Sequence, residues 1–248
     1  VSGTIDELIR HAVTKLSHAH FVTNQQAELR LLQLGERGDV THIIGSPDID
    51  VMNSDSLPSL ADVKNRYEIN FEDYGVLIFH PVTTELDSLQ THIDVLIKAV
   101  INSKKNFVVI YPNNDHGSEI IFNAYEQLVN NINFRVFPSM RFEHFLQLLK
   151  NAKFMIGNSS AGVREAPHFG VPTVNLGSRQ NNRVSLPSII NIDFDLDSIG
   201  QAIQDLEMQS YEKAKIFGDG NSAEKFYKIL SNKKFWTIAK QKFFVDLK

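Results

Sequence analysis

A Gly-Asn-Ser-Ser-Ala-Gly segment at residues 157–162 has the residue types best suited to chemistry in this chain. It follows a short apolar run and leads into a helical pattern, with Glu165 one turn later. Glycines let a backbone approach a ligand closely, and two hydroxyls beside free helix N–H groups suit a diphosphate. Glu165 could accept hydrogen bonds from ribose hydroxyls. From the spacing alone, a serine-capped strand–helix turn with Glu165 favouring the helix dipole is an equally good interpretation.

Three further loops are small or polar and also follow short apolar runs. They comprise residues 80–84, 112–118 and 177–180. In an open parallel α/β sheet, ligands bind in the crevice beyond the carboxyl ends of the strands. We therefore expect the four loops to converge on one edge of a sheet and to form a polar site there.

Single residues near these loops have a functional and a structural interpretation. His80, before Pro81, could be a general acid or base or a phosphate ligand, although a packed loop histidine is the more common case. Arg179 could pair with a phosphate or form a surface salt bridge. Asp6 at a helix start ordinarily compensates the helix dipole, and Phe145 is more often a core residue than a base-stacking one.

Short β-branched runs alternate with amphipathic stretches along the whole chain. The pattern predicts strands at residues 20–23, 41–44, 75–79, 107–111, 134–137, 154–156, 173–176 and 189–192. It predicts helices over residues 8–16, 27–34, 60–67, 89–101, 119–129, 142–149, 161–169, 199–208 and 223–230. A capping box at Thr23 and Gln26 is expected to begin the second helix. This alternation predicts an α/β fold with parallel sheets covered by helices on both faces.

A domain boundary is expected at residues 45–47, with the polar residues 48–58 as a linker. The two strands before it are too few for a sheet of their own, so residues 1–46 are expected to be the last part of a domain that begins upstream. The six strands after it suffice for a complete Rossmann-like domain over residues 47–230. Residues 231–248 are expected to form a helical tail that packs on the first domain or closes the second.

The composition excludes several classes of function. A net charge of −4 over 248 residues gives no electrostatic footprint for nucleic acid. Cysteine is absent, which rules out disulfides and thiolate zinc sites and fits a reducing compartment. No run of 18 apolar residues suggests a membrane span. His11, His18 and His20 lack the spacing of metal ligands and are expected to pack structurally.

Five segments in order resemble the hydrolysing UDP-N-acetylglucosamine 2-epimerases, and most closely their sialic-acid-pathway branch. The segments are Val-Ser-Gly-Thr-Ile-Asp-Glu (1–7), His-Pro-Val-Thr-Thr (80–84), Gly-Asn-Ser-Ser-x-Gly-Val-Arg-Glu (157–165), Asn-Leu-Gly-x-Arg-Gln (175–180) and Phe-Gly-Asp-Gly-Asn (217–221). The similarity extends from residue 1 to about residue 230. Five motifs in the family's order are far more specific than any one of them.

The resemblance implies a GT-B-like fold, in which two Rossmann-like domains with parallel sheets enclose the active site and the N-terminal domain is only partly present here. It also implies that UDP-GlcNAc and water give UDP and N-acetylmannosamine. UDP leaves by elimination to a 2-acetamidoglucal, and water adds with inversion at carbon 2. Because further catalytic carboxylates of the family lie upstream, we expect residues 1–248 alone to bind UDP weakly without turnover. No metal or redox cofactor is expected.

The resemblance also implies roles for individual positions. Asp6 matches a catalytic carboxylate, and His80 matches a strand-end histidine that faces the diphosphate and sugar. The expected UDP-binding residues are the diphosphate pair Ser159 and Ser160, the ribose acid Glu165, Arg179 near the phosphates, Phe145 beside the uracil, and Gly162 and Asn113.

The expected partner is UDP-GlcNAc or a related UDP-amino sugar, without nucleic acid or membrane, in a cytoplasmic homodimer or homo-oligomer. Three alternatives remain open at this point. One is a family member acting on UDP-N,N′-diacetylbacillosamine in the legionaminic acid pathway. The others are a GT-B glycosyltransferase, which needs an acceptor where the epimerase needs only water, and a non-catalytic UDP-binding fragment.

Overall fold

The computed structural model describes residues 5–181, 183–207, 209, 211–243 and 245–246, with backbone alone for Ile5, Asp6 and Glu207. Two compact units are present: one contains the described residues up to Ser56 and from Lys215 onward, and the other is Leu57–Ala214. None of the helices in these ranges is both long enough and apolar enough to cross a bilayer.

Strands and helices alternate in both units, as the apolar pattern predicts. The strands are β1 (His20–Val22), β2 (Thr41–Ile43), β3 (Gly75–Ile78), β4 (Phe107–Ile110), β5 (Phe134–Phe137), β6 (Phe154–Gly157), β7 (Thr173–Leu176) and β8 (Ile189–Ile192). The helices are α1 (Ile5–Leu16), α2 (Gln25–Gln33), α3 (Pro47–Met52), α4 (Leu60–Arg66), α5 (Leu86–Asn102), α6 (Ser118–Val129), α7 (Phe142–Lys150), α8 (Glu165–Phe169), α9 (Leu196–Glu207) and α10 (Ser222–Ser231). The ends of every predicted strand agree with those of an observed strand to within one residue. The α/β class with parallel sheets is confirmed, since every strand pair is parallel.

The second unit is built on a six-stranded sheet in the order β5-β4-β3-β6-β7-β8. All of its neighbouring strands are parallel. The chain moves outward from β3 to β5, returns to the centre at β6, and moves outward again to β8. This is the doubly wound order of a Rossmann-like fold, whose direction reverses between β3 and β6.

Both faces of this sheet are buried, which explains why its strands are continuous apolar runs. Leu77 points to a core formed with α5, α6 and α9. Its neighbours Val76 and Ile78 point to the opposite core, formed with α4, α7 and α8. Successive side chains of one strand therefore hold helices on opposite sides of the sheet.

The first unit contains the two-stranded parallel sheet of β1 and β2 and joins two distant segments of the chain. Both carboxylate oxygens of Asp50, in α3, accept hydrogen bonds from the first turn of α10: from Ser222 N–H at 2.9 Å and from Ala223 N–H at 2.8 Å. Ser46 N–H donates to the carbonyl of Phe217 at 2.7 Å. These contacts place residues 215–230 in the first unit, whereas the sequence boundaries at 46 and 230 assign them to the second.

A buried carboxylate holds the C-terminal segment against this unit. The Glu36 side chain is 1% exposed and accepts hydrogen bonds from Lys15 Nζ and His20 Nε2 at 3.0 Å and ion-pairs with Lys242 Nζ at 2.6 Å. Lys242 Nζ also donates to two backbone carbonyls at the end of α1. Burial alone would raise the pKa of Glu36, but the hydrogen bonds from Lys242, Lys15 and His20 outweigh burial and lower it. The carboxylate is therefore ionised and fully paired.

Three local expectations are wrong. Asn24, not Thr23, caps α2, because its side chain accepts from Ala27 N–H at 2.9 Å. The expected linker at residues 48–58 begins within helix α3. The single helix expected over residues 161–169 is a 3₁₀ turn at Ser160–Gly162 followed, after a break at Arg164, by the short helix α8.

We predict that Gly157→Ala lowers the free energy of unfolding of the second unit by about 3 kcal/mol or more. Gly157 has φ of +131°, and a Cβ at this position would overlap the carbonyl oxygen of Ile78. As a matched control, Gly200→Ala places its Cβ in open space within α9 and is expected to stabilise by up to about 1 kcal/mol. Urea unfolding followed by circular dichroism measures both. Similar urea midpoints for the two variants would contradict the conclusion that position 157 requires glycine.

Candidate functional site

The loops that follow β3, β4, β6 and β7 form one continuous hydrogen-bonded cluster. Because the strands are parallel, all four loops leave the sheet at its carboxyl edge. His80 follows β3 and residues 158–162 follow β6, so both lie where the direction of strand order reverses. This is the position at which open α/β sheets bind ligands. The expected convergence of the four loops is confirmed.

Asn158 and His80 are joined by a reciprocal pair of hydrogen bonds. His80 N–H donates to Asn158 Oδ1 at 2.7 Å, and Asn158 Nδ2 donates to the carbonyl of His80 at 2.8 Å. The Asn158 side chain thus does for His80 what a neighbouring strand would do, two residues beyond the end of β3. Asn158 is only 1% exposed, so this backbone position is fixed by a buried amide.

The peptide of Asn158 also holds the loop after β7. Gln180 Nε2 donates to the carbonyl of Asn158 at 2.8 Å, and Arg179 Nη1 donates to the same oxygen at 3.2 Å. Ser178 Oγ is hydrogen-bonded to Glu85, which precedes α5. The guanidinium of Arg179 is therefore brought to the backbone carbonyl of the residue whose side chain positions His80.

The two serines follow Asn158 directly, Ser159 as the N-cap and Ser160 as the first residue of the 3₁₀ turn. Ser159 is buried, and its Oγ accepts from Ala161 N–H at 3.3 Å. Because that oxygen accepts from the turn, its hydroxyl proton can be donated to another group. Gly162 has a packing explanation, since a Cβ there would stand 2.6 Å from Thr173 Cγ2. Glu165 is the first residue of α8 and is 9% exposed.

His80 is held in its neutral form at neutral pH. Its ring is half-buried, and Nδ1 lies 2.8 Å from Asn113 Oδ1, in the loop after β4. Burial, and secondarily the positive charge of Arg179, lower the pKa of His80 to about 4, against the opposing effects of Asn113 and Asp115. The imidazole is therefore available to accept a proton or a hydrogen bond.

Two further site residues expected from the sequence, Phe145 and Asp6, belong to other elements of the structure. Phe145 lies on α7, partly buried against the core of β3, β4 and β6. Asp6 belongs to the first turn of α1 in the other unit, and its side chain lies outside the described residues. Across the part of the chain that the structure describes, no group of three or more His, Cys, Asp or Glu residues could hold a metal ion.

Asn158 and Gln180 organise the site, although neither is among the site residues predicted from the sequence. Each is a carboxamide near the end of a predicted strand, between small or ligand-type residues. Their positions in loops after predicted strands are the signal by which the sequence could have identified them. A carboxamide directly after a buried parallel strand has both a donor and an acceptor with which to hold the neighbouring loop.

The chain belongs to the UDP-N-acetylglucosamine 2-epimerase family, whose family model matches residues 1–231. A UDP-N-acetylglucosamine 2-epimerase of Neisseria meningitidis serogroup B is 47% identical over the whole chain. A hydrolysing UDP-N,N′-diacetylbacillosamine 2-epimerase of Legionella pneumophila is 31% identical over 92% of the chain. The chain spans 66% and 61% of the lengths of these two relatives.

Solved structures confirm the GT-B-like fold class. A UDP-GlcNAc 2-epimerase from Neisseria meningitidis, crystallised with UDP-GlcNAc, superposes with a TM-score of 0.69 at 17% identity. The superposition covers 88% of this chain and 63% of that one. At this level of identity the similarity establishes the fold.

We predict that Asn158→Asp destabilises the second unit by about 3 kcal/mol, because a buried carboxylate oxygen replaces the amide donor and faces the carbonyl of His80. Asn106→Asp is the matched control. It removes a side-chain amide donor to the carbonyl of Asp73, at a solvent-exposed site, and should cost less than about 1 kcal/mol. Thermal unfolding of the two variants at neutral pH measures the difference. Equal losses of stability in the two variants would show that the Asn158 side chain is not essential to the structure of the site.

Proposed function

We propose that this chain carries the UDP-binding part of a hydrolysing UDP-GlcNAc 2-epimerase, which converts UDP-GlcNAc and water to N-acetylmannosamine and UDP. The observation that carries the proposal is the cluster of His80, Arg179 and the serine turn around Asn158, at the position where the strand order reverses. Family membership supports a UDP-sugar as its ligand.

The residue types of the cluster suit a diphosphate. Arg179 supplies a permanent positive charge, and Ser159 and Ser160 supply hydroxyl donors on adjacent positions. Donors placed where negative charge develops stabilise a departing diphosphate more than they stabilise the bound substrate. Glu165, beyond the turn, is proposed to accept the ribose hydroxyls, and Phe145 to lie beside the uracil. Gly162 and Asn113 complete the proposed UDP-binding set.

The reaction also needs groups that move protons. Elimination requires a base for the proton on carbon 2 of the sugar, and addition of water requires an acid. His80 is neutral at neutral pH and can accept a proton, and the carboxyl group of Asp6 is the second group that we propose for this chemistry. Because the chain spans about two thirds or less of its relatives' lengths, the complete reaction is proposed for the whole protein.

The proposal places the reaction in sialic acid or related nonulosonate biosynthesis, in the cytoplasm and in a homodimer or homo-oligomer. We propose UDP-GlcNAc as the substrate because the relative named for it is 47% identical to this chain. The relative named for the bacillosamine sugar is 31% identical. That second UDP-sugar is the alternative substrate within the family.

We predict that Glu165→Ala weakens UDP binding at least tenfold, through loss of a charged acceptor for two ribose hydroxyls. Isothermal titration of the chain with UDP measures the affinity. Glu119→Ala is the control, because Glu119 is an exposed carboxylate in the first turn of α6 with the same charge. An unchanged affinity for Glu165→Ala, or an equal loss in both variants, argues against the ribose role.

We predict that the intact protein, given UDP-GlcNAc in D2O, releases N-acetylmannosamine with deuterium at carbon 2. Elimination removes the original hydrogen and addition takes one from solvent, so proton NMR reports both steps. Release of UDP with the gluco configuration retained would falsify the hydrolysing reaction. A requirement for an acceptor sugar would indicate a glycosyltransferase instead. Parallel reactions with UDP-N,N′-diacetylbacillosamine compare the two substrates.

A further inference from the structure

A chain of two short hydrogen bonds runs from Asp115 to the ring of His80. Asp115 Oδ2 accepts from Asn113 Nδ2 at 2.7 Å, and Asn113 Oδ1 lies 2.8 Å from His80 Nδ1. Asn113 and Asp115 belong to the loop between β4 and α6. Gly117, at φ of +93°, ends that loop and precedes α6. The contacts thus connect two of the four loops of the site.

The position of the ring proton is decided by the orientation of the Asn113 amide. If Oδ1 faces the ring, Nδ1 must carry the proton and donate it. If the amide were reversed, Nδ2 would donate to Nδ1. The backbone N–H of Asn113, 3.3 Å from the same nitrogen, would then be a second donor to it. In that arrangement the proton would lie on Nε2, since neutral imidazole has one donor and one acceptor nitrogen.

Asp115 removes this ambiguity. An ionised carboxylate only accepts hydrogen bonds, so the amide atom 2.7 Å from it must be Nδ2. The carbonyl end of the amide must then face His80. The 2.8 Å contact outweighs the longer 3.3 Å approach of the backbone N–H, because hydrogen bonds weaken with distance.

We propose that Asp115 is a positioning residue that acts through Asn113 to hold His80 as the Nδ1–H tautomer, with the lone pair of Nε2 presented to the ligand. The inference rests on the proposed function to the extent that His80 faces a UDP-sugar. No described residue forms a hydrogen bond with Nε2. His80 therefore accepts a hydroxyl hydrogen bond or a proton through Nε2.

The arrangement also suits the protonated state of His80. When Nε2 takes a proton, Nδ1–H continues to donate to Asn113, so no amide has to turn over during the reaction. Arg179 and Asp115 are the charged groups that act on the ring. Arg179 favours the neutral ring, and Asp115 favours the imidazolium. Asp115 thus stabilises the proton once it has been transferred, whereas Arg179 keeps the ring free to receive it.

Nitrogen-15 NMR of the full chain, labelled at histidine, tests the tautomer directly. Long-range proton–nitrogen spectra distinguish Nδ1–H from Nε2–H, and His80→Gln identifies the His80 signals among the nine histidines. We expect Nδ1–H for His80 in the parent protein, and Nε2–H or a mixture in Asp115→Asn. Asn113→Ala leaves only the backbone N–H near Nδ1 and is expected to give Nε2–H.

Asp205→Asn is the matched control, because Asp205 accepts from the Gln201 amide at 2.8 Å on α9 and its loss removes the same charge. It should leave the His80 spectrum unchanged. An Nε2–H signal in the parent protein, or a pure Nδ1–H signal in Asp115→Asn, overturns the proposal. A variant that fails to give a folded spectrum is replaced by Asn113→Ala, for which a retained Nδ1–H signal overturns it equally.

The same samples give a second readout that a merely structural role of Asp115 would not move. Removing its charge should lower the pKa of His80 further below its value of about 4, and Asp205→Asn should not change that pKa. A pKa that stays constant or rises in Asp115→Asn contradicts the proposal. Neither measurement needs UDP. If UDP fails to bind while the tautomer shifts as expected, the proposed function fails and the positioning role stands.

Discussion

The geometry of the site depends on one buried carboxamide. The Asn158 side chain forms hydrogen bonds with both the N–H and the carbonyl of His80. The backbone carbonyl of Asn158 accepts hydrogen bonds from Arg179 and Gln180. The pairing is possible because Gly157 brings the chain close to the end of β3, where no side chain would fit. A single residue thereby joins the loops that follow three parallel strands. His80 and Arg179 are therefore positioned by hydrogen bonds to the same residue.

The strands could be predicted from the sequence because a parallel sheet buried on both faces demands continuous apolar runs. Convergence of the loops followed from parallel pairing alone. The features that were not predicted depend on contacts between distant residues or on backbone angles. Asp50 meets the start of α10 across 172 residues, so no local pattern marks residues 215–230 as part of the first unit. The break at Arg164 and the cap at Asn24 depend on φ and ψ values that several residue types can adopt.

Residue types in the site loops were visible in the sequence, but their physical states were not. The neutral state of His80 comes from burial and from Arg179, which the fold brings close from a loop about a hundred residues later. Gly162 looked like a residue that lets a ligand approach, and its packing against Thr173 gives it a structural explanation. Resemblance to a family assigns roles to positions, whereas the hydrogen-bond network shows which neighbours control them.

The pairing of Glu36 with Lys242 has a consequence for the order in which the two units can form during synthesis. Residues 57–214 are continuous in the chain, so all six strands of the larger sheet are available before the C-terminal segment has been translated. The first unit, although it begins earlier in the chain, includes a hydrogen bond from Lys242 to the carbonyl of Ser17 that spans 225 residues. Domains usually fold in the order of synthesis, N-terminal first. Here Lys242 is synthesised after the last strand of the larger sheet, so that sheet can form before the ion pair between Glu36 and Lys242 does.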